Sequence, residues 1–257
     1  MVDRPSPFEW PRAALLTWPE VKKLAEAGAV ALLPVGSTEA HGPHLPLNVD
    51  VLIAEEVCRR TARWLAERGR PSVTFPAIAY GRTEFAASFA GTVTVRGESA
   101  VAYFEDVLAG IASHGFRRIG AINHHVEPAH FRAVHEAARN AAARTGARVL
   151  VPDHRRPPFV SALGREFSHG GSHAGAYETS LAMAIAPDQV REDIRRKLPV
   201  LDVDLPARIK AGAKTFHDAG GPDAYFGDPA AASAEEGERL LELLAEFTAS
   251  ALLADAA

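Results

Sequence analysis

Apolar and polar positions change period repeatedly along this chain, and each change marks an element. Ala29 to Val35 reads AVALLPV, a short unbroken apolar run. Such a run suits a strand buried on both faces. Asp50 to Arg68 places Val51, Ala54, Cys58, Ala62 and Leu65 three or four residues apart and stops at Gly69. That spacing predicts a helix with one buried stripe. Further strands are predicted over 72–77, 118–123 and 147–151. Further helices are predicted over 19–26, 98–114, 128–145, 174–185 and 234–254. Gly115 stops the helix before it, and Pro128 sits in a first helical turn, where no amide donor is needed.

Strands alternating with helices predict an α/β fold with a mostly parallel sheet covered on both faces. Ligands of such sheets bind beyond the carboxyl ends of the strands. The loops 36–49 and 123–127 each follow a strand, so both are expected on one rim. Between about 192 and 233 the periodicity weakens, around Pro199, Pro206 and GGPDAYFGDP. This stretch reads as a capping or intersubunit excursion from a single domain spanning 1–257.

Composition narrows the function classes. The 257 residues carry a net charge of −4, with no basic stripe to advertise nucleic acid. No run approaches the roughly 18–20 apolar residues of a membrane helix, and the N-terminus does not read as a secretory signal. The expectation is a cytoplasmic protein with no nucleic-acid or membrane partner. The one cysteine, Cys58, falls on the apolar stripe and is read as a buried structural thiol.

The histidines change the picture, because they cluster. The segment GSTEAHGPHLPLNVD offers Glu39, His41, His44 and Asp50 in a loop shaped by Gly and Pro. Carboxylate and imidazole donors together suit Zn²⁺ or Mn²⁺. A solvated polar loop, with Asp50 capping the next helix, is the alternative. NHHVEP repeats a His/Glu pair, His125 and Glu127, at a strand-to-helix junction; Glu127 could instead serve the helix dipole. SHGGSHAGAYETS offers His173 as a proton carrier. Glu178 either faces the site or is a buried structural carboxylate, and His44 and Glu178 are both candidates for a layer behind the ligands. Thr83, Glu84, Val126, His169 and Gly170 are the candidate substrate contacts. His114, His130, His135 and His217 are expected to be peripheral, as satisfied structural or exposed histidines. No P-loop, dinucleotide fingerprint or nucleophile elbow is present.

At these residues the sequence resembles the creatininase (creatinine amidohydrolase) family. LPVGSTEAHGPHLPLNVDVL, FAGTVTV, NHHVEPAH and HAGAYETSLAMAIAPDQV are similar to the family's blocks and occur in its order between about Leu33 and Val190. The resemblance implies a three-layer α/β/α sandwich and two divalent ions, zinc or manganese, per subunit. It implies Asp50 as the shared ligand, with Glu39 and His125 on one ion and His41 and Glu127 on the other. His173 would be the catalytic histidine of a homo-oligomer, commonly a hexamer, acting on a small molecule. His124 stands where the family usually has Gly, and Pro128 where it has Asn. The tryptophans are Trp10, Trp18 and Trp64, far upstream of the third block, where creatininase proper holds creatinine with tryptophan. The chain therefore resembles a member other than creatininase proper.

The expected activity is hydrolysis of a C–N bond in a cyclic or related amide. Two ions would acidify a shared water, from a pKa of about 15.7 toward roughly 7, giving a metal-bridged hydroxide. The alternatives are a hydrolase of a C–C or lactone bond in an oxidised cyclic polyol of the keto-inositol type, and a non-catalytic metal-stabilised binding protein.

Overall fold

In the computed structural model, which describes residues 10–157, 159–169 and 173–254, strand β1 (Val30–Val35) is buried along its whole length. Its side chains alternate between two cores, as the period of two requires. Val30 and Leu32 enter one, while Ala31, Leu33 and Val35 enter the other. Helix α1 (Trp18–Glu26) precedes it and starts on a Thr17–Glu20 capping box. Helix α2 (Val49–Ala66) and strand β2 (Ser72–Thr74) follow, then helix α3 (Gly97–Ser113) and strand β3 (Arg118–Asn123). Helix α4 (Pro128–Thr145) leads to strand β4 (Arg148–Leu150).

The sheet order is β2-β1-β3-β4, and every pairing is parallel. Val35 pairs with Asn123, so β1 and β3 end side by side. The loops 36–49 and 123–127 therefore leave the sheet at one rim. Strand β2 is shorter than the predicted 72–77, because Pro76 has no amide to continue a ladder. A single bridge, Val35 to Ile78, resumes the pairing beyond it.

Past β4 come the short helices α5 (Phe159–Ala162) and α6 (Arg165–His169), then helix α7 (Ala176–Ile185). Helix α7 starts two residues later than predicted. Ala174 has a φ of 52°, a left-handed conformation that no helix can include. Three further short helices, α8 (Glu192–Arg195), α9 (Leu205–Lys210) and α10 (Phe216–Ala219), precede the closing helix α11 (Ala234–Leu253).

The layers form an α/β/α sandwich. Ile53, Val57, Leu181 and Leu241 from α2, α7 and α11 cover one face of the sheet. Phe104, Leu108, Val134 and Ala137 from α3 and α4 cover the other. Cys58 is fully buried in the first core. Leu205, Phe216 and Phe226 form a third apolar cluster with Ala40 and Ala86. This cluster seats the segment 205–226 against the loops that leave β1 and β2. Among the described residues no helix is long and apolar enough to cross a membrane.

Helices α2 and α11 are also joined by charge. The Arg60 guanidinium donates to Glu56, Glu238 and Glu242, each at 2.7 Å, and its side chain is only 8% exposed. Arg60→Ala leaves three carboxylates facing one another. We expect a loss of about 2 kcal/mol, less than for a fully buried pair because Glu238 and Glu242 are partly solvated. Urea denaturation checks this; an unchanged midpoint would show the network to be energetically idle.

Candidate metal centre

The site begins where β1 ends. A Cβ on Gly36 would fall 2.7 Å from the Val51 amide nitrogen, so only glycine lets the first turn of α2 cross the strand end. That crossing brings Asp50, in the first turn of α2, over the rim. Glu39 and His41 descend from the same loop, and His125 arrives from the end of β3.

Among the described residues three groups of donors result: Glu39, His41 and His173 form one, and Asp50 belongs to both of the others. Of those two, Glu39, Asp50 and His125 form one; His41, Asp50 and Glu178 form the other. His125 Nδ1 lies 3.1 Å from both Glu39 Oε1 and Asp50 Oδ2. His41 Nε2 lies 3.3 Å from Asp50 Oδ1 and 3.8 Å from Glu178 Oε2. Glu39, Asp50 and Glu178 are each at most 3% exposed.

The remaining histidine nitrogens explain the orientation of the rings. His41 Nδ1 donates to the Glu39 carbonyl at 3.1 Å, and His125 Nε2 donates to the Arg82 carbonyl at 2.8 Å. Each ring then presents its other nitrogen to the carboxylates, the arrangement usual for metal-bound histidine. His41 Nε2 and Asp50 Oδ2 are buried without a hydrogen-bond partner. Orphaned buried atoms are costly, and a cation between them would satisfy both. The donor set therefore fits divalent ions.

Electrostatics point the same way. Burial pushes the Asp50 carboxyl up, but His125 and His41 outweigh it and hold the group well below its ordinary range. Burial lowers the affinity of His41 for a proton; Asp50 and Glu178 override this and raise its pKa to about 10. A proton and a metal compete for that lone pair, so acid should displace bound metal. Burial and Asp50 raise Glu178 to about 8, against the opposing pull of His41.

His173 stands beside the carboxylates. Its Nε2 donates to the Ala40 carbonyl at 2.9 Å, and its Nδ1 lies 3.8 Å from Glu39 Oε1. Its ring packs between His41 and Phe216, with centroids at 4.6 and 4.2 Å. Burial and the nearby His41 lower its pKa to about 4, so the ring is neutral and Nδ1 keeps a free lone pair. The left-handed Ala174 that follows turns its amide onto Glu178 Oε2 at 2.6 Å. One strained residue thus aims both His173 and Glu178.

Other residues lie differently from the sequence reading. Glu127 is in none of the three donor groups. Its carboxylate accepts the Glu84 and Phe85 amides, both at 3.1 Å, and faces the cavity. The Thr83 hydroxyl donates to Glu39, and the Glu84 side chain turns outward to Arg82. Neither Thr83 nor Glu84 lines the cavity, whereas Val126 does. His44 sits behind the ligands, 2.9 Å from the Thr179 hydroxyl. The side chain of His169, and Gly170, lie outside the described residues.

His130 is a satisfied structural histidine, completely buried rather than exposed. It binds Asn123 Oδ1 at 3.0 Å and receives the Arg82 amide at 3.2 Å, while Asn123 donates to the His125 carbonyl at 2.7 Å. His130 thus braces the strand end that carries His125. Its position in the first turn of α4, five residues after His125, could have suggested this.

A cavity of about 440 Å³ opens onto Asp50, His125, His173 and Glu178. Its walls are mainly apolar, from Phe85, Val126, Phe167, Leu205, Ile209 and Phe216.

A family model described as creatininase, creatinine amidohydrolase, matches residues 14–252. The chain belongs to the creatininase family. A creatinine amidohydrolase of Pseudomonas putida is 30% identical over 261 residues, spanning 92% of this chain and 94% of that protein. A mycofactocin precursor peptide peptidase of Mycobacterium tuberculosis is 32% identical, spanning 84% of this chain and 81% of its own. A solved creatininase mutant complexed with creatine superposes with a TM-score of 0.78 at 26% identity, covering 95% of this chain and 97% of that one. Creatininase structures include a manganese form and a zinc–zinc form. A 3-dehydro-scyllo-inosose hydrolase of Thermotoga maritima is 30% identical over only 43% of this chain and 34% of its own length. This creatininase-family chain is a hydrolytic enzyme with clustered metal-binding residues.

Proposed function

We propose that this creatininase-family protein hydrolyses an amide C–N bond at a centre for two divalent ions, zinc or manganese. The sharing of Asp50 by two donor groups carries this reading. Glu39 and His125 would complete one ion's ligands, and His41 and Glu178 the other's. Bound ions would polarise the amide carbonyl and acidify water.

The protein's own groups supply the rest. In the reaction the C–N bond breaks, a C–O bond forms, and the nitrogen takes a proton. His173, neutral and with Nδ1 free, holds and returns a proton beside the reacting carbonyl. The apolar walls exclude water and strengthen each polar contact at the carboxylate floor. They also weigh against an oxidised polyol, whose hydroxyls would need a polar partner each.

Assigning Glu178 as a ligand replaces Glu127, which the family resemblance had placed beside His41. Glu178→Gln is expected to leave about one metal equivalent per chain, and Glu127→Gln about two. Inductively coupled plasma mass spectrometry on the dialysed proteins decides between them, and the reverse pattern would restore Glu127 to the ligand set. A screen of amides with zinc- or manganese-loaded protein tests the reaction itself. Turnover of keto-inositols without turnover of any amide would replace this reading.

A further inference from the structure

We propose that Lys210 recognises a carboxylate on the substrate, so that the amide cleaved here carries both an apolar group and an anionic one. The inference rests on the amide-hydrolase reading and adds a substrate class to it.

The cavity has two ends of opposite character. Its floor holds Asp50, Glu127 and Glu178, and its walls are apolar. Among the described residues two cations also line it, Arg155 and Lys210. Arg155 is already committed. Its guanidinium bonds both Asp153 oxygens, at 2.9 and 3.3 Å, and lies 3.4 Å over the Phe131 ring. Lys210 ends α9 and, among the described residues, has no ion pair or hydrogen bond from its ammonium group. The stretch Leu205 to Lys214 contains Arg208, Lys210 and Lys214 and no carboxylate, in a chain whose net charge is −4. Of these three, Lys210 lines the cavity that also holds the acidic floor, and Leu205 and Ile209 of the same helix supply apolar wall.

The Lys210 side chain is exposed at the cavity's edge, and a ligand carboxylate seated there against the apolar walls would shield the pair from part of the solvent. A substrate carboxylate placed there gains from the contact, and a neutral analogue does not. Charge complementarity of this kind sets specificity more than total affinity. The cavity volume of about 440 Å³ is ample for a small amide with an aromatic or branched group.

The test compares N-(phenylacetyl)glycine with its neutral alcohol analogue, N-(phenylacetyl)ethanolamine. Binding to zinc-loaded protein is measured by calorimetry, and turnover by release of the amine. Wild type is expected to bind the acid about tenfold more tightly. That ratio should fall to about one in Lys210→Met and below one in Lys210→Glu. Lys214→Glu, outside the cavity, should keep the wild-type ratio. Equal affinities in wild type, a preference surviving in Lys210→Met, or no binding of either probe would each overturn the proposal. A Lys210-dependent binding preference without turnover of either probe would support the carboxylate contact and count against amide hydrolysis.

Discussion

Asp50→Ala is expected to abolish metal binding and activity together. Asp50 belongs to two of the three donor groups, with one oxygen 3.3 Å from His41 Nε2 and the other 3.1 Å from His125 Nδ1. In the proposed two-ion centre it supplies a carboxylate to each ion and is the residue they share. Without it the proposed ligands would be Glu39 with His125, and His41 with Glu178, two donors each. Those are too few to hold zinc against water, since protein zinc sites use three or four. Loss of carbonyl polarisation and water activation is worth several kcal/mol. At 1.36 kcal/mol per decade, kcat/KM should fall on the order of 10⁴-fold. The measurement is metal content and turnover on the same sample, with circular dichroism to show that the fold persists. Full metal content with wild-type turnover would remove Asp50 from the centre.

His173→Ala should separate chemistry from metal binding. His173 is in neither Asp50 group, yet it lines the cavity beside Glu39. Its Nε2–H is held by the Ala40 carbonyl, which fixes the tautomer and leaves Nδ1 to exchange a proton. A positioned acid–base group contributes roughly 10²–10⁴-fold, so kcat should drop by about that much while two metal equivalents remain. Added imidazole should restore part of the lost turnover, because the deletion opens a matching space beside Phe216. Loss of metal with loss of activity would mean that His173 belongs to the ligand set. An unchanged kcat would remove it from the proton-transfer step.

Local pattern made much of this site readable. Glu39, His41 and Asp50 share one loop that leaves a buried strand, so proximity follows from covalent connection. His125 also follows a strand, and parallel neighbours finish at the same rim. Glu178 was ambiguous because its reach depends on where α7 begins. That start is set by Ala174 at positive φ, a choice that glycine neighbours and alanine chemistry do not reveal. Glu127 was open because its two-residue spacing from His125 does not fix where its carboxylate points. That spacing keeps side chains together only in extended backbone, and Glu127 opens a helix, where the Glu84 and Phe85 amides compete for it. His130 was readable only as structural or exposed, because a buried histidine inside a helix looks like any other until its partners, Asn123 and Arg82, are known.

By itself the chain's apolar periodicity determined the alternation of strands and helices and the shared rim, while the clustered carboxylates and histidines offered the candidate metal ligands. These depend on repeat lengths of two and 3.6 and on neighbours in sequence. Only the tertiary structure decided which carboxylate stands beside His41, which way Thr83 and Glu84 turn, and what closes the cavity. Those outcomes depend on helix α7 and the segment 205–216 folding back over a rim far away in sequence. Packing sets that geometry, and periodicity carries no record of it.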